Sequence, residues 1–367
     1  MKIKRSSKYT LKFITKKKRL LLEQMFDLYK VYLQRTIDLI WEEKVPVKKY
    51  ISSKEINWMD NVGGQYKQII YRHACAIVKS IKSKKGKKSK PEVKNLTISL
   101  DRRIVNVEFS NRAQAFDRWI RISLPFILEG KKRERIEIFI PLKEHKHSLK
   151  FKDWRLCKTI RLNKDFVYLT FEKEKPPVKQ EGKVIGIDQG YKNLITTSEG
   201  QFIGKGFNRI YEKIARKKQG SKAFKRALVE RNNEINRLIN KELDLSDVKT
   251  IKIEDLKYLK KGIKGRFRKE FNNKFQRWTY RQVMTKLERK AEQEAVQLFR
   301  VQPAFTSLTC PMCLFRHKDN RKSDKFLCLN CGYENHSDVV GAINIARQEP
   351  IVPVAHKQIL EDRNKCP

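Results

Sequence analysis

Apolar residues recur along this chain first with a helical period and then with a period of two. From about Leu20 to Trp41 the spacing of Leu21, Met25, Leu28, Tyr32 and Ile37 predicts an amphipathic helix, which Pro46 ends. A second helical stripe runs through Tyr66, Ile69, Ile70, Ala74, Ile77 and Ile81. A short strand-like run, Tyr9-Thr10-Leu11-Lys12-Phe13, precedes both. Beyond residue 93 apolar and polar positions alternate: Leu96, Ile98 and Leu100, then Val105, Val107 and Phe109, then Ile120, Ile122 and Leu124, then Ile136, Ile138 and Ile140. Residues 160–162 and 166–171 flank Asn163-Lys164-Asp165 as the arms of a hairpin flank its turn. These short strands predict a β-barrel or sandwich over residues 93–175. Pro176-Pro177 marks a boundary. After it, strands at Val184–Ile187, Leu194–Thr197 and Val248–Ile253 alternate with helices expected at Arg209–Lys241 and Phe275–Phe299, the order of an α/β core.

Charge narrows the function. The 367 residues include 84 Lys and Arg against 41 Asp and Glu, a net charge of +43. Such an excess points to a polyanionic partner rather than to a small-metabolite enzyme. A hydrophobic fraction of 40% excludes wholesale disorder. Apolar runs stay well short of the ~18 residues of a membrane-spanning helix. The start, MKIKRSSKYTLKF, lacks the apolar segment of a secretion signal, so a cytoplasmic protein is expected. Two basic runs stand out. Lys79–Lys94 holds eight lysines opposed only by Glu92, and Lys257–Arg277 holds nine Lys or Arg interleaved with Tyr258, Phe267, Phe271 and Phe275. Cations mixed with aromatics suit phosphate contacts combined with base stacking.

Four of seven cysteines form two C-x-x-C pairs, Cys310/Cys313 and Cys328/Cys331. Two such turns joined by a ribbon can converge on one tetrahedral ion, so a structural Zn²⁺ with four thiolates is expected. His317 and His336 read as ordinary surface histidines. Three acids draw attention by context. Asp188 ends the strand VIGID, Glu254 ends TIKIE, and Asp338 opens a helix just past the second cysteine pair. Carboxylates from strand ends and a neighbouring helix can meet at one sheet edge and hold two divalent ions for phosphodiester hydrolysis, with Mg²⁺ or Mn²⁺ suited to hard oxygen ligands. Each acid taken singly reads equally well as a helix cap or a surface charge.

The ordered segments VIGIDQGYKNLITTS, IKIEDL and TSLTCPMC…CLNCGYENHSDVVGAINIA resemble the three RuvC motifs of the TnpB family, with a zinc ribbon just before the third. TnpB proteins are transposon-encoded, RNA-guided nucleases related to miniature type V CRISPR effectors. FNNKFQRWTYRQVMTKLERKAE is similar to the family's bridging helix. The resemblance is close over residues 183–347 and one of architecture only over 1–178. It implies a multidomain α/β plus β protein: an RNase H-like RuvC domain with an inserted zinc ribbon, preceded by a wedge-like β-barrel carrying a helical recognition insertion. The implied divisions are 1–17 (first barrel strand), 18–92 (recognition module), 93–178 (barrel), 179–304 and 336–350 (nuclease), 305–335 (ribbon) and 351–367 (tail). It further implies that Asp188, Glu254 and Asp338 are catalytic metal ligands and Cys310, Cys313, Cys328 and Cys331 zinc ligands. The implied partners are a guide RNA and a target double-stranded DNA cut beside a short flanking motif. Departures from the pattern are Gln189 after Asp188, Leu314 in place of glycine after the first cysteine pair, His336-Ser337 before Asp338, and Val340 in place of asparagine. A non-catalytic nucleic-acid-binding protein and an unguided RuvC-like resolvase or transposase are the competing readings.

Overall fold

The computed structural model describes residues 2–48, 50–60, 62–84, 86, 88–109, 115–125, 136–257 and 278–351. Most of the second basic run, after Lys257, and all but the first residue of the tail lie outside these. The chain divides into two compact units, Met1–Glu174 and Lys175–Pro367.

In the first unit β1 (Lys2–Thr10) leads into α1 (Lys16–Trp41) and α2 (Gly64–Lys82). Thr15 caps α1, its hydroxyl accepting from Lys18 N. Six strands follow: β2 (Ile98–Leu100), β3 (Val105–Phe109), β4 (Arg118–Ser123), β5 (Glu137–Leu142), β6 (Arg155–Leu162) and β7 (Phe166–Glu174). They build two antiparallel sheets, β1-β7-β6-β2 and β3-β4-β5. One apolar core joins both sheets to the helices, through residues such as Tyr9, Phe26, Leu33, Tyr66, Ile122, Ile140 and Leu169. The hairpin turn forms because Asn163 Oδ1 accepts from the amides of Asp165 and Phe166, at 3.0 and 2.8 Å. The first strand lies earlier than Tyr9–Phe13. Its inward positions include the buried polar Ser7, which hides the alternation in the sequence.

The second unit is built on β8 (Lys183–Asp188), β9 (Ile195–Thr197), β10 (Phe202–Ile203), α3 (Asn208–Ala215), α4 (Lys222–Glu242), β11 (Val248–Glu254), α5 (Tyr280–Gln293) and β12 (Gln297–Val301). The sheet order is β10-β9-β8-β11-β12, with β8, β11 and β12 parallel and the β8-β9-β10 ladder antiparallel. Two expectations are corrected. The long helix at 209–241 is two helices, because Ser221 caps a fresh start at α4 by accepting from Phe224 N. The helix expected to reach Phe299 stops at Gln293. Ala295 turns left-handed (φ 61°), and Gln297–Val301 joins the sheet beside β11. The ribbon strands β13 (Arg321–Lys322), β14 (Lys325–Leu327) and β15 (Glu334–His336) form a small antiparallel sheet before α6 (Ser337–Arg347). Among the described residues no helix is long and apolar enough to cross a membrane.

Candidate functional site

β8 and β11 run parallel with Ile187 opposite Ile253, so Asp188 and Glu254 end adjacent strands at the same carboxyl edge. That edge is where open α/β sheets carry their ligand sites. Asp338 arrives on the first turn of α6, which packs against β8. The packing depends on Gly186, since a Cβ there would lie 2.0 Å from Ala342 O and 2.5 Å from Ala346 N. No other residue lets the helix backbone sit so close to the strand.

The three acids act on one another. Burial first, then the charges of Glu254 and Asp338, push the Asp188 carboxyl up to about 8. Burial also raises that of Glu254, against the pull of the Thr306 hydroxyl and the Arg321 guanidinium. Thr306 Oγ1 donates to Glu254 Oε1 at 2.6 Å and Asn193 Nδ2 to Asp338 Oδ2 at 3.2 Å. Arg321, from β13, stands 3.6 Å from Asp338. His336 is no free surface residue: it caps α6, its Nδ1 accepting from Asp338 N at 3.2 Å, and its ring meets Phe202 edge-on at 4.8 Å. His317 likewise accepts from Asp319 N. Arg321, Thr306 and Asn193 escaped the sequence reading because nothing local distinguishes them from other basic or polar residues. Asn193 and Thr306 both lie within the RuvC-like motifs.

Among the described residues, the four ribbon cysteines alone converge as a set of three or more ligating side chains within 4.8 Å. Sγ atoms of Cys310 and Cys331 lie 3.6 Å apart and those of Cys313 and Cys328 3.5 Å apart. A ZnS₄ tetrahedron with bonds of ~2.3 Å has edges of roughly 3.8 Å, so the set fits zinc with little adjustment. The two turns repeat one geometry. Leu314 N and Gly332 N each reach back to the first cysteine carbonyl at 3.0 Å, and Cys310 N and Cys328 N each bond forward at 2.9 Å, to Phe315 O and Tyr333 O. Both turns need a left-handed residue after the second cysteine. Gly332 (φ 71°) supplies it freely, whereas Leu314 (φ 62°) adopts it under strain. The Phe315 amide draws the Cys313 thiol down to about 6.

The acids are spaced more widely than one ion's shell. Their donor set, three hard carboxylates of which Asp188 is raised by burial and by the charges of the other two, suits a pair of divalent cations. The ribbon is tied to this edge. Ser337 N and Oγ donate to Asp324 O and Ser323 O at 2.8 and 3.0 Å, and Asn344 Nδ2 donates to both Thr306 O and Thr309 O at 2.7 Å. Val340 is fully buried among Cys310, Phe326 and Cys328, so it seals the ribbon while Asn193 steadies Asp338.

The fold is that of compact type V effectors. It aligns with the protein of a solved "Cas12f1-sgRNA-target DNA complex" over 90% of this chain and 82% of that one, at TM-score 0.57 and 16% identity. CasPhi-2 (Cas12j) bound to crRNA aligns over 96% of this chain and 99% of its own, at TM-score 0.52 and 11% identity. Within the sequence, residues 280–345 match the family model described as Cas12f1-like, TNB domain. The CRISPR-associated endodeoxyribonuclease Cas12f1 of Sulfoacidibacillus thermotolerans is 35% identical over 98 residues, 26% of this chain and 21% of that protein. The protein of the same name from Syntrophomonas palmitatica is 33% identical over 85 residues, 23% of this chain and 16% of its own. The chain thus matches about a fifth of the length of these curated relatives.

Proposed function

We propose that this chain is an RNA-guided DNA endonuclease that cuts double-stranded DNA beside a short flanking motif, in a single RuvC-like site. The reading covers TnpB proteins and miniature type V effectors alike. The observation that carries it is the meeting of Asp188, Glu254 and Asp338, from two adjacent strands and a helix, at one sheet edge where burial and mutual repulsion hold Asp188 near 8. Divalent Mg²⁺ or Mn²⁺ held by these carboxylates would supply an activated water and stabilise the leaving oxygen. Asp188, whose carboxyl feels the charges of both other acids, would hold the ions together with Glu254 and Asp338. Thr306 fixes the Glu254 carboxylate and Asn193 that of Asp338, which keeps the ligands from swinging apart. Arg321 brings a guanidinium to the place where a phosphate must approach the acids, and its fork geometry matches phosphate oxygens. The net charge of +43 supports a long RNA partner, with sequence read by base pairing and the protein holding backbones.

The test pairs a cleavage gel with a binding assay, given cognate RNA, Mg²⁺ and a matching duplex. Asp188→Ala, Glu254→Ala and Asp338→Ala should each abolish cutting and leave RNA and target binding intact, because affinity comes from basic residues and pairing. Retained cleavage in any of them overturns that residue's role. A wild-type chain that binds but never cuts would favour a non-catalytic nucleic-acid-binding protein instead.

A further inference from the structure

Gln189 follows Asp188 at the end of β8, and it is 5% exposed with neither amide Oε1 nor Nε2 hydrogen-bonded. Buried polar atoms in folded proteins nearly always find partners, so an amide left open on both atoms points to a ligand. The side chain lines a cavity of about 240 Å³ between the end of β11 and α5. Tyr280, Met284 and Glu288 face it from α5, at the four-residue spacing of one helix face. Leu256 adds to the apolar wall, and Asp255 and Arg300 stand at the rim.

Shape and hydrogen bonding define what fits. The rim is mixed in charge, with Lys257, Arg281 and Arg300 against Asp255 and Glu288. Arg300 is engaged by both acids, donating to Glu288 at 2.8 Å and lying 3.7 Å from Asp255, so charge alone does not define the occupant. The apolar wall of Leu256, Met284 and the buried Tyr280 suits a flat ring, and the amide offers one donor and one acceptor side by side. That pair complements the N6 amine and N7 of adenine, the usual bidentate partner of Gln. The volume lies below that of drug-sized sites, which run from roughly 300 Å³ upward, and accords with a single base.

We propose that Gln189 and this cavity take one unpaired nucleobase, adenine by preference, from the strand threaded past Asp188. The inference rests on the nuclease reading for its substrate class, and it adds a base-specific pocket beside the scissile position. A base reaches such a pocket only when out of the stack, so the occupant is single-stranded.

The experiment measures binding of the full chain, in EDTA, to fluorescent single strands of about a dozen dA, dC or dT residues by anisotropy competition. The dA strand should bind ~10-fold tighter than dT. Gln189→Met, close in shape but without the amide, should bring dA to within ~2-fold of dT while leaving dT unchanged. It should also raise the melting temperature, because a buried unpaired amide has gone. Gln189→Glu should shift preference toward dC, whose N4 amine donates to a carboxylate. Met284→Trp, which fills the cavity from α5, should erase the preference by a second route. Equal binding of all three strands by the wild-type chain, or a dA preference that Gln189→Met leaves in place, overturns the proposal and reduces the cavity to a water site. Cleavage in Mg²⁺ is scored separately. Preference without cutting refutes the nuclease and leaves the pocket, and cutting without preference does the reverse.

Discussion

Asp188→Asn should make the metal-free protein more stable, and by more as pH rises. The Asp188 carboxyl titrates at about 8 in the fold, against ~3.9 in an unfolded chain. Between these values the native state keeps a proton that the unfolded state has released, so wild-type stability falls with rising pH through that window. At ~1.4 kcal/mol per pH unit, the ceiling is about 4 kcal/mol at pH 7 and about 1.5 kcal/mol at pH 5. Asp188 is half-buried and keeps part of its hydration, so a gain of ~2 kcal/mol at pH 7 is the working expectation. Asparagine has the same shape without the charge, which isolates the electrostatic cost. The assay is urea unfolding of both proteins in EDTA at pH 5, 7 and 8. The difference between them removes every titration they share. Millimolar Mg²⁺ should then stabilise the wild-type chain and leave the variant nearly unchanged, since a cation binding only the folded site adds its own free energy. A stability gap that stays flat with pH, or a variant less stable than wild type at pH 8, would refute the argument that the acids repel one another across a buried edge.

Other expectations follow from single contacts. Leu314→Gly should stabilise the ribbon by ~1 kcal/mol, because Leu314 is 69% exposed and holds a left-handed φ that glycine adopts freely. A lower melting temperature in the zinc-loaded protein would contradict it. Elemental analysis should find one zinc per chain, and Cys328→Ser should lose it, with folded yield falling before the intrinsic cleavage rate. Gly186→Ala should cost ~3 kcal/mol and lower cleavage, since a methyl 2.0 Å from Ala342 O must push α6 and Asp338 away. Unfolding curves overlaying those of the wild type would show that the helix does not depend on this close approach.

Legibility followed the range of the forces involved. Helical and two-residue periods located α1, α2 and most strands, because those elements bury one face and the pattern is local. The C-x-x-C pairs pointed to the four-cysteine cluster, because thiols that can share one ion come from tight turns whose spacing is written in the chain. The resemblance named Asp188, Glu254 and Asp338 but gave no reason for their meeting. Missed were β12, the break before α4 and the full extent of β1. Each depends on a partner strand, a cap or a buried serine that periodicity does not register.

The sequence by itself determined which side chains can ligate a metal, the basic charge that suits a polyanionic partner, and the period of most of its elements. Tertiary structure alone decided that two strand ends, sixty-odd residues apart, lie side by side, and that Gly186 admits a helix backbone to bring the third acid. It also decided that Arg321, Thr306 and Asn193 attend those acids, and that the Gln189 amide is left without a partner. The physical reason is that residue type sets what a side chain can bond to. Its protonation, orientation and cost of burial are set by neighbours that only folding brings within a few ångströms.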